Sequence, residues 1–212
     1  MKYYIDVGMY NGELLEKVIS IYPPFDKYMG FEAIPQLCEE AKDRFKNNSK
    51  VTIINKAAGI KDKDNVKFYM CYCKEKGGCK GKGSEIGTGS TLLKNKIRGN
   101  IDKSKFIYVD VIDFSKYIID NFREIDEIYL KIDIEGSEYE LLDHMIKTGS
   151  INYINKLFCE WHYHKMKDYK QNKKEFKKKH YKLVSRLNKF GFNLKGNNVD
   201  DEMDYIIKRM NS

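Results

Sequence analysis

Short β-rich runs alternate with amphipathic helical stretches along most of this sequence, a pattern that few folds accommodate. The runs predict strands at Tyr3–Val7, Lys27–Phe31, Val51–Asn55, 66–70, 106–111, Ile128–Ile134, Tyr153–Trp161, Phe192–Leu194 and Asp204–Ile207. The stretches between them predict helices at Gly12–Ile21, Pro35–Phe45, Asp113–Phe122, Ser137–Lys147 and Phe176–Phe190. Because strands that alternate with helices form parallel βαβ units, we expect an α/β fold with a mostly parallel, seven-stranded sheet and helices on both faces.

The length and composition predict a single folded domain. The chain has 212 residues, of which 42% are hydrophobic, enough to build one core. No apolar run approaches the roughly 20 residues of a membrane span, and no stretch of signal-peptide type follows Met1. An odd number of cysteines, five, is typical of a reducing compartment. We therefore expect a cytoplasmic domain, either whole or part of a longer polypeptide, of open oligomeric state.

The formal net charge of +8 suggests an anionic partner such as nucleic acid. The surplus is local, because nine lysines lie between Lys165 and Lys182 while the rest of the chain is close to balanced. This run is either a solvated helix face or connecting segment, or a patch that binds an anionic partner. Its position outside the motifs described below argues against nucleic acid as the partner.

The junction of the first strand and the first helix carries the sequence Asp6-Val7-Gly8-Met9-Tyr10-Asn11-Gly12. Ligands of open α/β sheets bind at the carboxyl ends of strands, where glycines allow the backbone to approach closely. Glu32 ends the second strand about 20 residues later, where a carboxylate can accept hydrogen bonds from both ribose hydroxyls. The D-x-G-x-x-x-G spacing differs from dinucleotide and phosphate loops and matches the first motif of S-adenosylmethionine (SAM) methyltransferases.

A second group of polar residues lies at the ends of two later strands. In Leu130-Lys131-Ile132-Asp133-Ile134-Glu135-Gly136-Ser137-Glu138, strand alternation places the charged residues on one side and the apolar residues on the other. Glu160 and His162 likewise leave the tip of the next strand together. Acids in a central strand are costly unless they meet a ligand, a metal or a partner. We therefore predict an active site formed by Asp133, Glu135, Glu160 and His162.

Together these motifs resemble the FkbM family of SAM-dependent methyltransferases. The resemblance rests on Ile5-Asp6-Val7-Gly8 with Asn11-Gly12, on Gly30-Phe31-Glu32-Ala33 and, most specifically, on the run from Leu130 to Glu138. Gly89-Ser90-Thr91-Leu92-Leu93 and Glu160-x-His162 are weaker matches, and Met9-Tyr10 departs from the family's usual Ala-Asn pair. The matches span residues 3–162.

The resemblance implies a Rossmann-like class I methyltransferase that transfers a methyl group from SAM to a hydroxyl, commonly on a sugar or a glycosylated natural product. Deoxyhexoses such as rhamnose and fucose, in a glycan or glycoconjugate, are among the implied acceptors. Carried onto this chain, the resemblance implies that Asp6, Gly8, Asn11 and Gly12 border the methionine part of SAM, Glu32 its ribose and Ala58 its adenine.

A sugar hydroxyl must lose its proton to become a good nucleophile, and the sequence offers two ways to achieve this. In the first, His162 or Asp133 accepts the proton directly as a general base. In the second, Asp133, Glu160 and His162 bind a divalent ion, Mg²⁺ or Mn²⁺, that lowers the pKa of the hydroxyl. Asp133, Glu160 and His162 are therefore the predicted catalytic residues.

Two other features have alternative interpretations. The pattern Cys71-x-Cys73-x5-Cys79 is either part of a zinc site or the flank of a loop, Lys74–Gly89, that closes over the acceptor. The aromatic residues Tyr10, Trp161 and Tyr163 either stack on a sugar or pack in the core and its loops.

Two alternative functions also fit parts of the sequence. Lys131, Asp133, Glu135 and the lysine run suggest an RNA 2′-O-methyltransferase, although a complete Lys-Asp-Lys-Glu set at matching strand ends is not identifiable. The second alternative is a non-catalytic SAM-fold module that binds a glycan or a protein. The acids at both the SAM end and the acceptor end argue against it.

Overall fold

The computed structural model describes residues 1–21, 24–71, 86–96 and 101–196. The strands in these ranges are β1 (Lys2–Val7), β2 (Lys27–Phe31), β3 (Val51–Ile54), β4 (Ala57–Gly59), β5 (Lys63–Cys71), β6 (Ile101–Asp113), β7 (Glu127–Ile132) and β8 (Ile154–Cys159). The α-helices are α1 (Glu13–Ile21), α2 (Pro35–Phe45), α3 (Phe114–Asn121), α4 (Glu138–Thr148) and α5 (Lys173–Asn188). Short 3₁₀ turns occupy Ser150–Tyr153 and Tyr163–Lys165.

Local sequence explains several of these boundaries. Pro35 opens α2, where a missing backbone N–H costs nothing. Asp113 caps α3 as predicted, because its side chain accepts a hydrogen bond from the backbone N–H of Lys116. Gly149 ends α4 in the left-handed conformation that favours glycine. The helices therefore begin and end close to where the sequence predicts.

Five parallel strands form the main sheet in the order β3-β2-β1-β7-β8. The central strand β1 pairs with β2 on one side and with β7 on the other, and the chain order reverses between these two neighbours. Ligands bind at such a switch point, beyond the carboxyl ends of the strands. The predicted α/β class with a mostly parallel sheet is confirmed, and the strands place the polar motifs at one edge.

Within the described residues the main sheet has five strands and not the predicted seven, so this detail of the prediction needs correction. Strands β4, β6 and β5 form a separate three-stranded sheet, in which β6 runs parallel to β4 and antiparallel to β5. The predicted strand Phe192–Leu194 is buried but irregular. The N–H and the carbonyl of Leu194 both bond to the side chain of Asn188. The predicted strand Asp204–Ile207 lies outside the described residues.

Helices cover both faces of the main sheet, as predicted. Alternation along β1 sends Ile5 to one face and Tyr4 to the other. The Ile5 face packs with the apolar residues of α3, α4 and α5, and the Tyr4 face packs with α1 and with Phe45 of α2. A sheet covered on both sides explains why β7 is apolar on each face up to its charged end.

Most of the predicted lysine run is a solvated helix face. Helix α5 buries Leu183, Val184 and Leu187 against the core while its lysines stay exposed. Lys165 differs, because it lies before the helix and is largely buried. Among the described residues, no helix is both long enough and apolar enough to cross a membrane.

Candidate active site

A cleft of about 570 Å³ lies at the carboxyl end of the main sheet, within the size range of small-molecule sites. Its lining comes from the loop after β1, the ends of β2 and β7, the residue Glu160 after β8, and residues 87–92. Four of the predicted site residues with a cofactor role line it: Gly8, Asn11, Glu32 and Ala58. Two predicted catalytic residues, Asp133 and Glu160, line it as well.

Gly8 allows the loop after β1 to touch the end of β7. Its φ is +80°, and a β-carbon placed there would lie 1.8 Å from the carbonyl oxygen of Asp133. The N–H of Gly8 also donates to the carbonyl of Phe31 at the end of β2. Three strand ends therefore meet at one glycine, which no other residue type fits.

Glu32 lies at the wall of the cleft with both carboxylate oxygens already hydrogen-bonded. They accept from the backbone N–H groups of Tyr10 and Ile34, each at 2.9 Å. Burial raises the pKa of Glu32 to about 7, although these two hydrogen bonds and Lys131 oppose the rise. Each oxygen keeps a lone pair, so the side chain can still accept hydrogen bonds from a ligand.

The structure places two of the predicted cofactor residues beneath the cleft instead of at its wall. Asp6 is fully buried, and its carboxylate lies 3.0 Å from the ammonium of Lys131, which also donates to the carbonyl of Gly8. Gly12 packs against α2, since a β-carbon there would lie 2.7 Å from the Phe45 ring. Both residues shape the loop that borders the cleft and do not line the cleft themselves.

His162 is fully buried among four carboxylates. Its Nδ1 lies 2.6 Å from Glu138, and its Nε2 faces Glu160 at 3.0 Å, Glu135 at 3.6 Å and Asp133 at 3.7 Å. Burial by itself lowers the pKa of His162, but Glu138, Glu160 and Glu135 outweigh this effect and raise the pKa well above its ordinary value. The predicted convergence of Asp133, Glu160 and His162 is therefore present in the structure.

Glu138 is a site residue to which the sequence analysis assigns no role. It is fully buried, accepts from the backbone N–H groups of Ile134 and Gly136, and holds the imidazole of His162. The Gly-Ser-Glu sequence after Glu135 carries the only available signal, an acid in the first helical turn. That signal predicts a favourable helix dipole interaction and says nothing of a histidine 24 residues away.

Glu135 is bound by two lysines that sequence reasoning also missed. Lys96 lies 2.5 Å from its carboxylate and Lys165 lies 2.9 Å from it. Burial opposes ionisation of Glu135, but His162, Lys96 and Lys165 hold its pKa well below the usual range, at about 2. No motif marks Lys96, and Lys165 is hidden in the lysine run, so only the fold shows that either one contacts the site.

The carboxylates and His162 fit a divalent cation. Ligand atoms of Asp133, Glu135 and His162 lie within 4.8 Å of one another, close enough for a common ion. Glu160, the predicted third ligand, lies 3.0 Å from Nε2 of His162 but is not part of this group of three, so the predicted set of Asp133, Glu160 and His162 stays a prediction. Imidazole nitrogen and carboxylate oxygen are ligands that Mn²⁺ and related ions accept.

The net charge of the cluster also favours a divalent cation. Its carboxylates are Asp6, Asp133, Glu135, Glu138 and Glu160, and its lysines are Lys96, Lys131 and Lys165. Five carboxylates against three lysines leave two negative charges when His162 is neutral. A divalent cation removes this excess, and a proton on His162 removes half of it.

The aromatic residues divide between the cleft and the core. Tyr10 lines the cleft, with a positive φ of 57° that is uncommon for tyrosine. Trp161 is buried and packs against Tyr139 and His180, so it is a core residue and not a sugar-stacking one. Cys71 is buried, and the predicted partners Cys73 and Cys79 lie outside the described residues.

A protein-family model described as the methyltransferase FkbM domain matches residues 6–194. This chain belongs to the FkbM methyltransferase family. The FkbM match runs from the end of β1 to the region beyond α5, so it contains every residue of the cleft and of the His162 cluster. The family implies methyl transfer and, generally, SAM as the methyl donor.

Among solved structures, the chain is similar to the methyltransferase FkbM from Methylobacillus flagellatus KT, with 16% identity and a TM-score of 0.40. The similarity covers 70% of this chain and 30% of that protein, so the chain spans less than a third of its length. None of the curated proteins matches the chain.

Proposed function

We propose that this FkbM-family chain is a SAM-dependent O-methyltransferase whose acceptor is a sugar hydroxyl in a glycan or glycoconjugate, with a deoxyhexose such as rhamnose or fucose as the reacting unit. One observation carries the proposal. The same cleft is lined by Glu32, which follows β2, and by the carboxylates Asp133 and Glu160, which follow β7 and β8. A carboxylate that can accept hydrogen bonds from the ribose of SAM and carboxylates that can accept the hydroxyl proton therefore border the same cleft.

The Glu32 side supplies the contacts that SAM requires. The Glu32 carboxylate has lone pairs for ribose hydroxyls, and the adjacent backbone of Gly8 and Asn11 borders the position of the methionine part. Ala57 and Ala58 leave a flat apolar wall for the adenine ring. Asp6 supports this side indirectly, because its pairing with Lys131 holds the ammonium that also binds the Gly8 carbonyl.

The side lined by Asp133 and Glu160 supplies proton handling for an in-line displacement, in which the hydroxyl oxygen attacks the methyl carbon and the sulfur leaves with the bonding electron pair. Asp133 and Glu160 border the cleft, so their carboxylate oxygens can orient the hydroxyl and accept its proton. His162 lies behind them, with Glu138 on Nδ1 and Nε2 turned toward both carboxylates. When bound by Asp133, Glu160 and His162, Mg²⁺ or Mn²⁺ would lower the pKa of the hydroxyl.

Mass spectrometry tests the proposal. The purified chain is incubated with SAM and a panel of methyl rhamnosides, methyl fucosides and larger glycans, with and without Mg²⁺ or Mn²⁺. We expect one acceptor to gain the mass of a methyl group, and we expect Glu160→Gln to abolish that gain. Glu124→Gln changes an exposed acid before β7, at the opposite end of that strand from the cluster, and this matched control should retain it. SAM binding without methylation of any sugar would contradict the sugar assignment.

An RNA 2′-O-methyltransferase is the second candidate, and one observation favours it. Lys96 and Lys165 lie beside Glu135, and Asp133 faces the same histidine, so two lysines and two acids do converge in space. Methylation of RNA in the same assay, with binding that weakens steeply as salt rises, would support this candidate over the sugar. Failure to bind SAM in calorimetry would instead favour a non-catalytic module.

A further inference from the structure

Residues 86–96, which we call the wall segment, form one side of the cleft. Gly87, Thr88, Ser90 and Leu92 line the space directly. The Ser90 hydroxyl accepts from the backbone N–H of Cys71, which leaves the Thr88 hydroxyl and the apolar Leu92 side chain to meet an acceptor. A hydroxyl beside an apolar group suits a sugar, which has hydroxyls at its edge and C–H groups on its faces. The position of this segment therefore decides the shape that the cleft offers to an acceptor.

The wall segment is held to the protein along its backbone. Thr91 exchanges two backbone hydrogen bonds with Tyr69 of β5, at 2.8 and 3.0 Å. At the start of the segment, the hydroxyl of Tyr10 donates to the carbonyl of Ile86 at 2.6 Å. These contacts attach the segment to the small sheet and to the loop after β1. At its far end, the carbonyl of Asn95 accepts a backbone hydrogen bond from Lys167, and side chains add further bonds.

The far end is attached to Glu135. The Lys96 ammonium donates to the Glu135 carboxylate and to the carbonyl of Gly89, each at 2.5 Å. The hydroxyl of Thr91 donates to the backbone carbonyl of Glu135 at 3.0 Å. Lys96 therefore bonds both its own segment and the end of β7, and Thr91 adds an independent bond to the same residue.

The Lys96 side chain has no exposed surface, so water does not compete for its ammonium. Glu135 is held in turn by Lys165 and stands at φ 54°, a backbone conformation uncommon for glutamate. The local sequence does not favour this conformation, so the bonds to Lys96, Lys165 and Thr91 stabilise it. Glu135 also lies between Asp133 and the wall segment in the lining of the cleft.

We infer that Lys96 is a positioning residue for the methyl acceptor. It fixes the wall segment against Glu135, and so sets the distance between the segment's lining residues Thr88 and Leu92 and the carboxylates that handle the proton. This inference rests on the proposed methyl transfer for its consequence in catalysis. The attachment of the segment itself is independent of the acceptor's identity.

Lys96→Met tests the inference, with Lys94→Met as the matched control, since Lys94 lies on the same segment and is exposed. We expect amide hydrogen exchange of peptides from the wall segment to accelerate about tenfold or more in Lys96→Met, while exchange in β1 and β7 stays as in the wild type. SAM affinity in calorimetry should change less than about threefold, because Lys96 lies at the opposite end of the wall segment from Ile86, where the segment contacts Tyr10 and so the Glu32 side of the cleft.

Activity supplies the second readout. With whichever acceptor the wild type methylates, Lys96→Met should raise the acceptor KM about tenfold and leave kcat within about threefold, which is the signature of lost binding that the bound state and the transition state share. Lys94→Met should change neither. If Lys96→Met does not fold, Thr91→Val removes the second attachment in an isosteric way and should shift exchange and KM in the same direction by a smaller factor.

Several results would overturn the inference. Unchanged exchange of the wall segment in both Lys96→Met and Thr91→Val would show that it is fixed elsewhere. A loss of SAM affinity as large as the rise in acceptor KM would show that Lys96 supports SAM binding as much as acceptor binding. If the wild type methylates no acceptor, the proposed function fails, and hydrogen exchange alone still decides whether Lys96 fixes the segment.

Discussion

The carboxylate of Glu138 lies 2.6 Å from Nδ1 of His162, and both side chains are completely buried. The contact fixes the ring so that Nε2 faces the carboxylates at the edge of the cleft. When a carboxylate binds one nitrogen of a histidine, it fixes the orientation of the ring and makes the other nitrogen more basic.

Glu138→Gln should therefore slow methyl transfer about 10- to 100-fold while leaving SAM affinity close to that of the wild type, because the amide cannot reproduce the negative charge beside His162. Steady-state kinetics and calorimetry measure the two effects. Glu140→Gln, an exposed acid on the same helix, is the control. Equal activity of Glu138→Gln and the control would contradict an orienting role for Glu138.

Chelation should reduce methyl transfer, and Mn²⁺ or Mg²⁺ should restore it, because a metal-binding His162 is neutral and the cluster then holds two uncompensated negative charges that a divalent cation removes. The thermal midpoint should rise on addition of Mn²⁺ to the wild type and not to Glu160→Gln. Full activity after exhaustive chelation would exclude a metal-dependent reaction and leave His162 or Asp133 as the proton acceptor.

Glu32 should make stability depend on pH. Its pKa is about 7 in the folded chain and 4.5 as the ordinary value, so the folded state binds the proton more tightly. The free energy of unfolding should then fall as pH rises from about 4.5 to 7, by about 3 kcal/mol in total.

Urea denaturation at pH 5 and pH 8 measures this fall, and Glu32→Gln should lose it because an amide does not titrate. Glu124→Gln, which changes an exposed acid, should retain the wild-type dependence. The same difference between the two pH values in Glu32→Gln and in the wild type would show that other groups cause it.

Gly8→Ala should destabilise the fold by more than about 3 kcal/mol, since both the positive φ and the close carbonyl of Asp133 oppose a side chain. Gly149→Ala is a matched control, because Gly149 has nearly the same φ, 81° against 80°, and its nearest neighbour lies at 3.7 Å. The control should cost about 1 kcal/mol. Equal losses of unfolding free energy in Gly8→Ala and Gly149→Ala would mean that the contact with the Asp133 carbonyl does not destabilise the fold.

Lys131→Met should cost about 3–5 kcal/mol of stability, because it leaves the buried Asp6 carboxylate without its cation. Combining it with Asp6→Asn should recover part of the loss, since the double variant buries no unpaired charge. Denaturant unfolding of the two single variants and the double variant measures the coupling. A double variant as unstable as the sum of the single ones would indicate that the pair is not coupled.

Periodicity was sufficient to predict most of the main sheet and its helices, because each of these elements is stabilised by an apolar face that repeats every two or 3.6 residues. It was insufficient for the small sheet. Strands β5 and β6 pair through contacts between residues 63–71 and 101–113, and nothing in either run shows whether it joins the main sheet. The prediction of a strand at Phe192–Leu194 was wrong for a related reason, because an apolar segment can be buried without pairing with another strand.

The sequence by itself determined that Asp133, Glu160 and His162 meet, because parallel strands present their carboxyl ends at one edge and these residues follow two such strands. Only the tertiary structure decided which charges surround them. Lys96 reaches Glu135 across 39 residues and Asp6 turns from the cleft to Lys131. A buried charge takes whichever opposite charge the packing brings within reach, and that choice depends on distances in space that no local pattern encodes.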